Sequence, residues 1–264
     1  MRYIIDHDMH MHSQLSECSS DPLQTTEALL KHAKENNLTT ICVADHYWDT
    51  QVPGVSPWYA PQNYDHISQA LPLPQDEKVR FLFGCETDMD KHGVIGIPPS
   101  RFDDFDFIIV PLNHLHMFTF THDLPVDDVP GRAQHLIKRL DQFLAADLPF
   151  HKVGVAHFTC LTILLENNRY LQVLDMIPDE VFARFFRGCA EKGCGIELNI
   201  KLSEMTDEHV RPTILRPYKI AKAQGCKFYL GSDTHHPADT AKAMERFNMI
   251  VDLLELTEDD KFRL

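Results

Sequence analysis

The sequence predicts an α/β domain whose parallel strands close into a barrel. Three observations carry this expectation. Apolar runs of strand length alternate with longer stretches of helical period, the pattern of a parallel sheet flanked by helices. Seven such runs fit into 264 residues, and that many repeats in this length favour closure over an open sheet. A chain of this size with 44% hydrophobic residues can bury one full core, and no linker, repeat or low-complexity stretch divides it, so residues 1–264 read as a single domain.

The expected strands, each apolar and mostly rich in β-branched or aromatic residues, are 3–6, 40–44, 79–83, 107–110, 152–156, 195–198 and 227–230. Helical period places helices at 22–35, with Asp21 as cap, and at 132–146, 179–192, 212–224 and 238–254. The proline- and aromatic-rich stretch 48–75 and the stretch 112–130 read as elaborated loops after the second and fourth strands.

A formal net charge of −14 argues against long nucleic acid and anionic membranes as partners. Bound divalent cations could still make one site strongly positive. No apolar stretch is long enough to span a bilayer, and the N-terminus turns charged at Asp6, too early for a secretory signal, so a cytoplasmic protein is expected. Seven cysteines without a CxxC pair, most in apolar runs such as Thr40-Ile41-Cys42-Val43, read as buried reduced thiols and not as a structural zinc site.

What ends each strand is more specific. The runs are followed in turn by His10 and His12, by Asp45-His46, by Glu86, by His114 and His116, by His157, by Asn199, and by Asp233 and His235. In a barrel those ends form one mouth, so residues distant in sequence would converge. Residues two apart on an extended chain point the same way, so His10-x-His12 and Asp233-x-His235 can each direct two donors into one pocket, whereas His7 should point elsewhere. Imidazoles mixed with carboxylates suit zinc, manganese or iron, and a carboxylate can bridge two ions. Any one of sixteen histidines is more often structural than ligating; seven strand ends in agreement are harder to ascribe to chance.

Taken together, His10-Met11-His12-Ser13, Asp45-His46, Gly84-Cys85-Glu86, Ala156-His157, Glu197-Leu198-Asn199 and Gly231-Ser232-Asp233-Thr234-His235 resemble the polymerase and histidinol phosphatase (PHP) superfamily of metal-dependent phosphoesterases, nearest its histidinol-phosphatase-like branch. The resemblance implies a distorted (β/α)7 barrel with two or three divalent ions at its mouth. It assigns His10, His12, Glu86 and Asp233 to a first ion. Glu86 would bridge to a second ion held by His114 and His157, and His46 and His235 would hold a third. The donor completing the third site is Glu17 or Cys18, of which Glu17 is favoured because Ser16-Glu17 resembles the family's Ser-Asp form. His114 is preferred to His116 as ligand, leaving His116 to contact substrate or orient a ligand, and Asp45 is expected to orient His46 or a neighbouring ligand.

The chemistry that follows is hydrolysis of a phosphate ester by metal-activated hydroxide, with Glu86, Asp233 and His235 at its centre. No nucleophile elbow or glycine-rich cradle supports covalent catalysis. A small phosphomonoester is the expected substrate, contacted by Asn199 and His116, and its phosphate by a cation drawn from Arg132, Arg169, Lys201 or Arg211. Two alternatives remain: a nucleotide or oligonucleotide phosphodiesterase, with Trp48, Trp58 or Tyr59 stacking a base, and a metal-stabilised binding domain without catalysis.

Overall fold

The computed structural model describes residues 1–19, 21–125, 127–160 and 169–264. Seven strands form one parallel sheet in sequence order: β1 (His7–Met11), β2 (Thr40–Tyr47), β3 (Arg80–Thr87), β4 (Phe107–Pro111), β5 (Val153–Ala156), β6 (Gly195–Leu198) and β7 (Lys227–Leu230). The sheet curls until the segment after β7 meets β1. There His12 N donates to Thr234 O at 3.0 Å and Asp233 N donates to His10 O at 2.7 Å. The result is a nearly closed barrel, sealed at its mouth by backbone from the β7 loop.

Around it lie α1 (Thr26–Glu35), α2 (Tyr64–Ile67), α3 (Val129–Ala145), α4 (Arg169–Asp175), α5 (Asp179–Lys192), α6 (Leu202–Thr206), α7 (Arg211–Ala223) and α8 (Ala243–Leu253). Each long helix buries one stripe. In α5 that stripe is Phe182, Phe185, Phe186 and Cys189, and the helix stops at Gly193, whose φ of +75° suits a residue without Cβ. Between β3 and β4 the described chain makes only a 3-10 turn, Pro99–Asp104, so the alternation of strand and helix is broken there. No helix among the described residues is long and apolar enough to cross a membrane.

Several expected boundaries move. The first strand lies at His7–Met11 and not at 3–6: Tyr3 is buried, but its amide donates to Leu256 O at 3.0 Å, and Ile4 is 47% exposed, so this apolar run packs on the C-terminal segment and not in the sheet. Helix α1 starts at Thr26 and not at 22, because Thr25 supplies the cap, accepting from Ala28 N at 3.2 Å. Helix α3 begins earlier than expected, capped by Asp128, and a 3-10 turn at Pro237–Lys242 precedes α8.

The barrel interior is layered. Met9, Cys42, Ala44, Leu82, Phe107, Ile109, Ala156 and Tyr229 fill it, with Phe262 from the C-terminal segment among them. Strand periodicity then carries polar residues above this apolar layer: Cys42 and Ala44 lead to His46 on β2, and Leu82 and Gly84 lead to Glu86 on β3. His46 and Glu86 are register partners. In β1 a register irregularity between Asp8 and Met11 resets the alternation, so Met9 joins the interior while Met11 joins the outer core and His10 and His12 turn to the mouth.

Candidate metal centre

Glu86, buried to 1% exposure, is the centre of the mouth. Its Oε2 lies 3.5 Å from His10 Nε2, 3.4 Å from His12 Nε2 and 3.0 Å from His46 Nδ1, and its Oε1 lies 3.1 Å from His157 Nε2 and 4.0 Å from His114 Nε2. Asp233 Oδ1 sits 3.1 Å from His12 Nε2 and 3.6 Å from His10 Nε2. His235 stacks on His12 with ring centroids 4.2 Å apart. Among the described residues, donor atoms within 4.8 Å of one another form three groups: His10, His12 and Glu86; Glu86, His114 and His157; and His12, His46 and His235.

The far side of five of these imidazoles, all but His46, is held by an oxygen. His10 Nδ1 donates to Glu197 Oε1 at 2.6 Å, His12 Nδ1 to Ser16 Oγ at 2.8 Å, His114 Nδ1 to Asp88 Oδ2 at 3.0 Å, His157 Nδ1 to Asn113 Oδ1 at 3.1 Å, and His235 Nδ1 to the Asp233 carbonyl at 2.9 Å. A proton on Nδ1 leaves the Nε2 lone pair free, which is the arrangement metal-binding histidines adopt. The holders are themselves held. Ser16 Oγ donates to Asp45 at 2.7 Å, and Asp88 accepts from the buried Arg139 at 3.1 Å. Glu197 also accepts the His157 amide at 2.5 Å.

Backbone shape contributes. His157 and Asp233 have φ of +24° and +54°, a left-handed conformation uncommon for residues with Cβ, and both begin loops leaving strand ends. A Cβ at Gly231 would collide with Glu197 Oε1 and come within 2.7 Å of His10 Cβ, so only glycine lets β7 pass this close.

Two features make the cluster unsatisfied by protein alone. His10 Nε2 and His12 Nε2 face each other at 3.1 Å, and with both Nδ1 atoms protonated two lone pairs oppose. His46 Nδ1 is buried without a hydrogen bond, since its 3.0 Å approach to Glu86 has unsuitable geometry. A cation resolves both, so the donor set fits divalent metal. In the metal-free protein, protons take that role. Burial works against charge on His10, but Glu197, Glu86 and Asp233 outweigh it and raise its pKa well above the usual value. Burial likewise opposes charge on His12, yet Asp233 and Glu86 raise it to about 9. Burial also opposes ionisation of Glu86, but His46 and His10 hold its carboxyl well below the ordinary range. Burial and the neighbouring His12 lower His235 to about 4.

A cavity of about 370 Å³ opens over the cluster, lined by His46, Glu86, His114, His157, Asp233 and His235, with Cys18, Trp58, Tyr59, His116 and Met117 on its walls. Glu17 is exposed and is not part of this lining. The turn from Ser16 to Ser19, closed by Ser19 N donating to Ser16 O at 2.8 Å, puts Cys18 there instead. His116 stands at the rim, its ring 5.0 Å from that of His114. The expected phosphate-binding cations lie elsewhere. Arg169 is committed to Asp127 at 2.6 Å, Arg132 is buried on the Leu115 carbonyl, Arg211 reaches the Met205 carbonyl, and Lys201 lines a neighbouring cavity. Asn199 accepts from Arg246 at 3.4 Å. Of the expected stacking aromatics, Trp48 is packed with Val52, Tyr59 and Phe120, while Trp58 meets His46 edge-on at 4.9 Å.

His7 does sit apart from the cluster, but it is not an ordinary surface histidine: it is buried, and burial lowers its pKa. Sequence reasoning assigned no role to Ser16, Asp88, Asn113, Arg139 or Glu197. Only Glu197, an acidic residue inside an otherwise apolar four-residue strand, carries a signal that could have revealed it.

Comparison with known proteins agrees with this geometry. No curated protein sequence matches the chain. A histidinol phosphate phosphatase of Lactococcus lactis, solved with zinc, L-histidinol and phosphate, superposes with a TM-score of 0.61 at 16% identity, covering 98% of this chain and 99% of that one. A Listeria monocytogenes protein described as a histidinol phosphatase gives 0.59 at 14% identity, covering 91% and 99%. At such identities the likeness establishes the barrel. Residues 8–199 match the PHP domain model, which is most of the chain and runs from β1 through Asn199: the chain belongs to the PHP domain family.

Proposed function

We propose that the chain is a metal-dependent phosphoesterase that hydrolyses a small phosphomonoester at the barrel mouth, acting as a single domain over residues 1–264. The observation that carries this reading is the set of four imidazoles, His10, His12, His114 and His157, whose Nδ1 atoms are tied to oxygens while their Nε2 atoms all lie within 4.0 Å of Glu86. His10, His12, Glu86 and Asp233 would hold one ion, Glu86, His114 and His157 a second, and His12, His46 and His235 are spaced for a third. Divalent ions bound there would acidify a coordinated water and neutralise charge on phosphoryl oxygens.

The chain's own residues do the rest. Glu86 joins the first two groups and sets their separation. Glu197, Ser16 and Asp88 keep their histidines in the tautomer that offers Nε2, and His116 at the rim can hold a proton for the departing alkoxide. Trp58, Tyr59 and Met117 give one wall an apolar face for the leaving group. Zinc, manganese and iron all fit such donors. A cytoplasmic setting suits seven free thiols.

The test is turnover of p-nitrophenyl phosphate and of its bis-ester by purified chain loaded with zinc or manganese. Monoester hydrolysis that stops on chelation and in Glu86→Ala is the expected result. A preference for the bis-ester would move the assignment to a phosphodiesterase, with Trp58 as the base-stacking candidate, and metal binding without hydrolysis of either would make the domain a binding module.

A further inference from the structure

A second cavity, of about 650 Å³, lies on the other side of Asp233 and shares that residue with the metal cavity. Its walls carry Lys201 after β6, Lys242 and Arg246 from the segment before and within α8, and the hydroxyl residues Ser203 and Thr206. Among the described residues none of the three cations has a carboxylate oxygen within 4 Å. Elsewhere in this chain of net charge −14, Arg2, Lys34, Lys91, Arg184 and Arg216 pair with aspartates.

Two of the acids nearby are already engaged, while the buried Asp8, which accepts Ser232 N at 2.9 Å, keeps one oxygen unbonded and acts electrostatically on Arg246. Asp239 accepts the amides of His235 and His236 at 3.0 and 2.9 Å, and Glu204 is buried on Tyr170 Oη at 3.0 Å. Arg246 is anchored between the ends of β6 and β7, donating to Ser232 O at 2.8 Å and Asn199 Oδ1 at 3.4 Å. The walls therefore hold three positive charges against Asp233 and Asp239, and Asp233 faces the cluster of imidazoles. Unpaired cations beside hydroxyls, one residue away from a hydrolytic site, have the chemistry of an anion subsite.

We infer that this cavity binds a second anionic group at the far end of the substrate, a phosphate or a carboxylate, held by Lys201, Lys242 and Arg246 while the scissile phosphate sits at the metal centre. The inference rests on the phosphoesterase reading and specifies its substrate class: an ester whose leaving group ends in an anion. It also gives Lys201 a different task from holding the phosphate that is cleaved.

The experiment compares three esters of equal length on the zinc-loaded chain: butyl phosphate, 4-phosphonooxybutanoate and butane-1,4-diol bisphosphate. The anionic tails should raise kcat/KM at least about tenfold over butyl phosphate, mainly through KM, since each charge-assisted contact is worth that much or more. Whichever tail gains more identifies carboxylate or phosphate as the natural group. In Lys201→Ala/Lys242→Ala the preference should fall toward one. Equal kcat/KM for all three esters, or a preference that survives the double substitution, would overturn the inference while leaving the phosphoesterase reading intact. If no ester is hydrolysed, that reading fails and binding decides the inference separately. Butane-1,4-bisphosphonate should bind the zinc-loaded chain at least about tenfold more tightly than butylphosphonate by calorimetry and lose that margin in the double variant. Equal affinities would refute it.

Discussion

The barrel buries polar clusters at both ends, and they are built on opposite principles. Near its base, every group meets its complement. His7 Nδ1 donates to Asp6 at 2.8 Å while His7 Nε2 accepts Leu230 N at 3.0 Å. Lys261 bonds both oxygens of Asp6 at 3.1 Å and Glu258 at 2.8 Å, and Tyr3 Oη donates to Phe228 O at 2.7 Å. At the mouth, His10, His12, His114, His157 and His235 are matched on their outer side. The inner faces turn lone pairs toward one another and toward two carboxylates. A buried network that satisfies itself serves the fold, whereas one that lacks a cation serves chemistry. Burial and histidine content would not separate the two; the direction of each ring nitrogen does.

Substitutions should break this comparison in a graded way. The largest effect is expected at Glu86, which touches five imidazoles. Glu86→Ala should abolish turnover and lower bound metal while circular dichroism still reports the folded barrel. His10→Ala and His12→Ala come next, each costing orders of magnitude in rate. The matched substitution at the base, His7→Gln, should leave kcat within a few-fold and instead lower stability by roughly 1–3 kcal/mol, the usual penalty for unpairing a buried group. A large loss of rate in His7→Gln with unchanged stability would erase the distinction between the two ends.

A smaller effect is expected one step out. Glu197→Gln keeps the shape but weakens the acceptor for His10 Nδ1, and metal affinity measured by competition with a chelator should fall about 10- to 100-fold. Wild-type affinity in this variant would mean that His10 is oriented by packing alone.

Acidity separates the two ends as well. In the metal-free chain His10 and His12 titrate above their unfolded value, His12 at about 9. A raised folded pKa contributes stability that is complete below about 6.5 and is lost as pH rises toward 9. At the base, burial of Asp6 is outweighed by His7 and Lys261, which depress it to about 2, so its contribution is present above about 3.9 and is lost on acidification. Thermal melts of metal-free protein should therefore show an alkaline decline between pH 6.5 and 9 that zinc removes, because metal binding favours the neutral imidazoles. Asp6→Asn should lower stability throughout the range above about pH 3.9 and remove the acid-side loss, leaving the alkaline decline in place. An alkaline decline that persists unchanged with zinc bound would contradict the assignment.

Most of the fold was legible because core strands announce themselves by apolar runs: β6 and β7 fall at the expected residues, and α5 fits its aromatic stripe. The first strand was not, because His7-Asp8-Met9-His10-Met11 is a polar sequence that becomes a buried strand only when its side chains have one another and a mouth to face. The strand-end donors were legible one by one from their order along the chain. Most of their supports were not: Asp88 reaches His114 across 26 positions and Arg139 reaches Asp88 across 51, and although Ser16 lies only four residues from His12, the Asp45 that anchors it is 29 away. The choice between Glu17 and Cys18 depended on a turn whose direction composition does not encode. The smallest expected effect follows from that turn: Glu17→Gln should change activity and metal content little, and Cys18→Ser, on the cavity wall, should change them more.

Zinc stoichiometry bears most directly on the central claim, that the inward-facing nitrogens around Glu86 form a metal centre. Purified chain, stripped with chelator and dialysed against zinc, should retain two or three equivalents by elemental analysis, His7→Gln should retain the same number, and Glu86→Ala at least one fewer. Equal retention by wild type and Glu86→Ala, or no retention by any of the three, would contradict it.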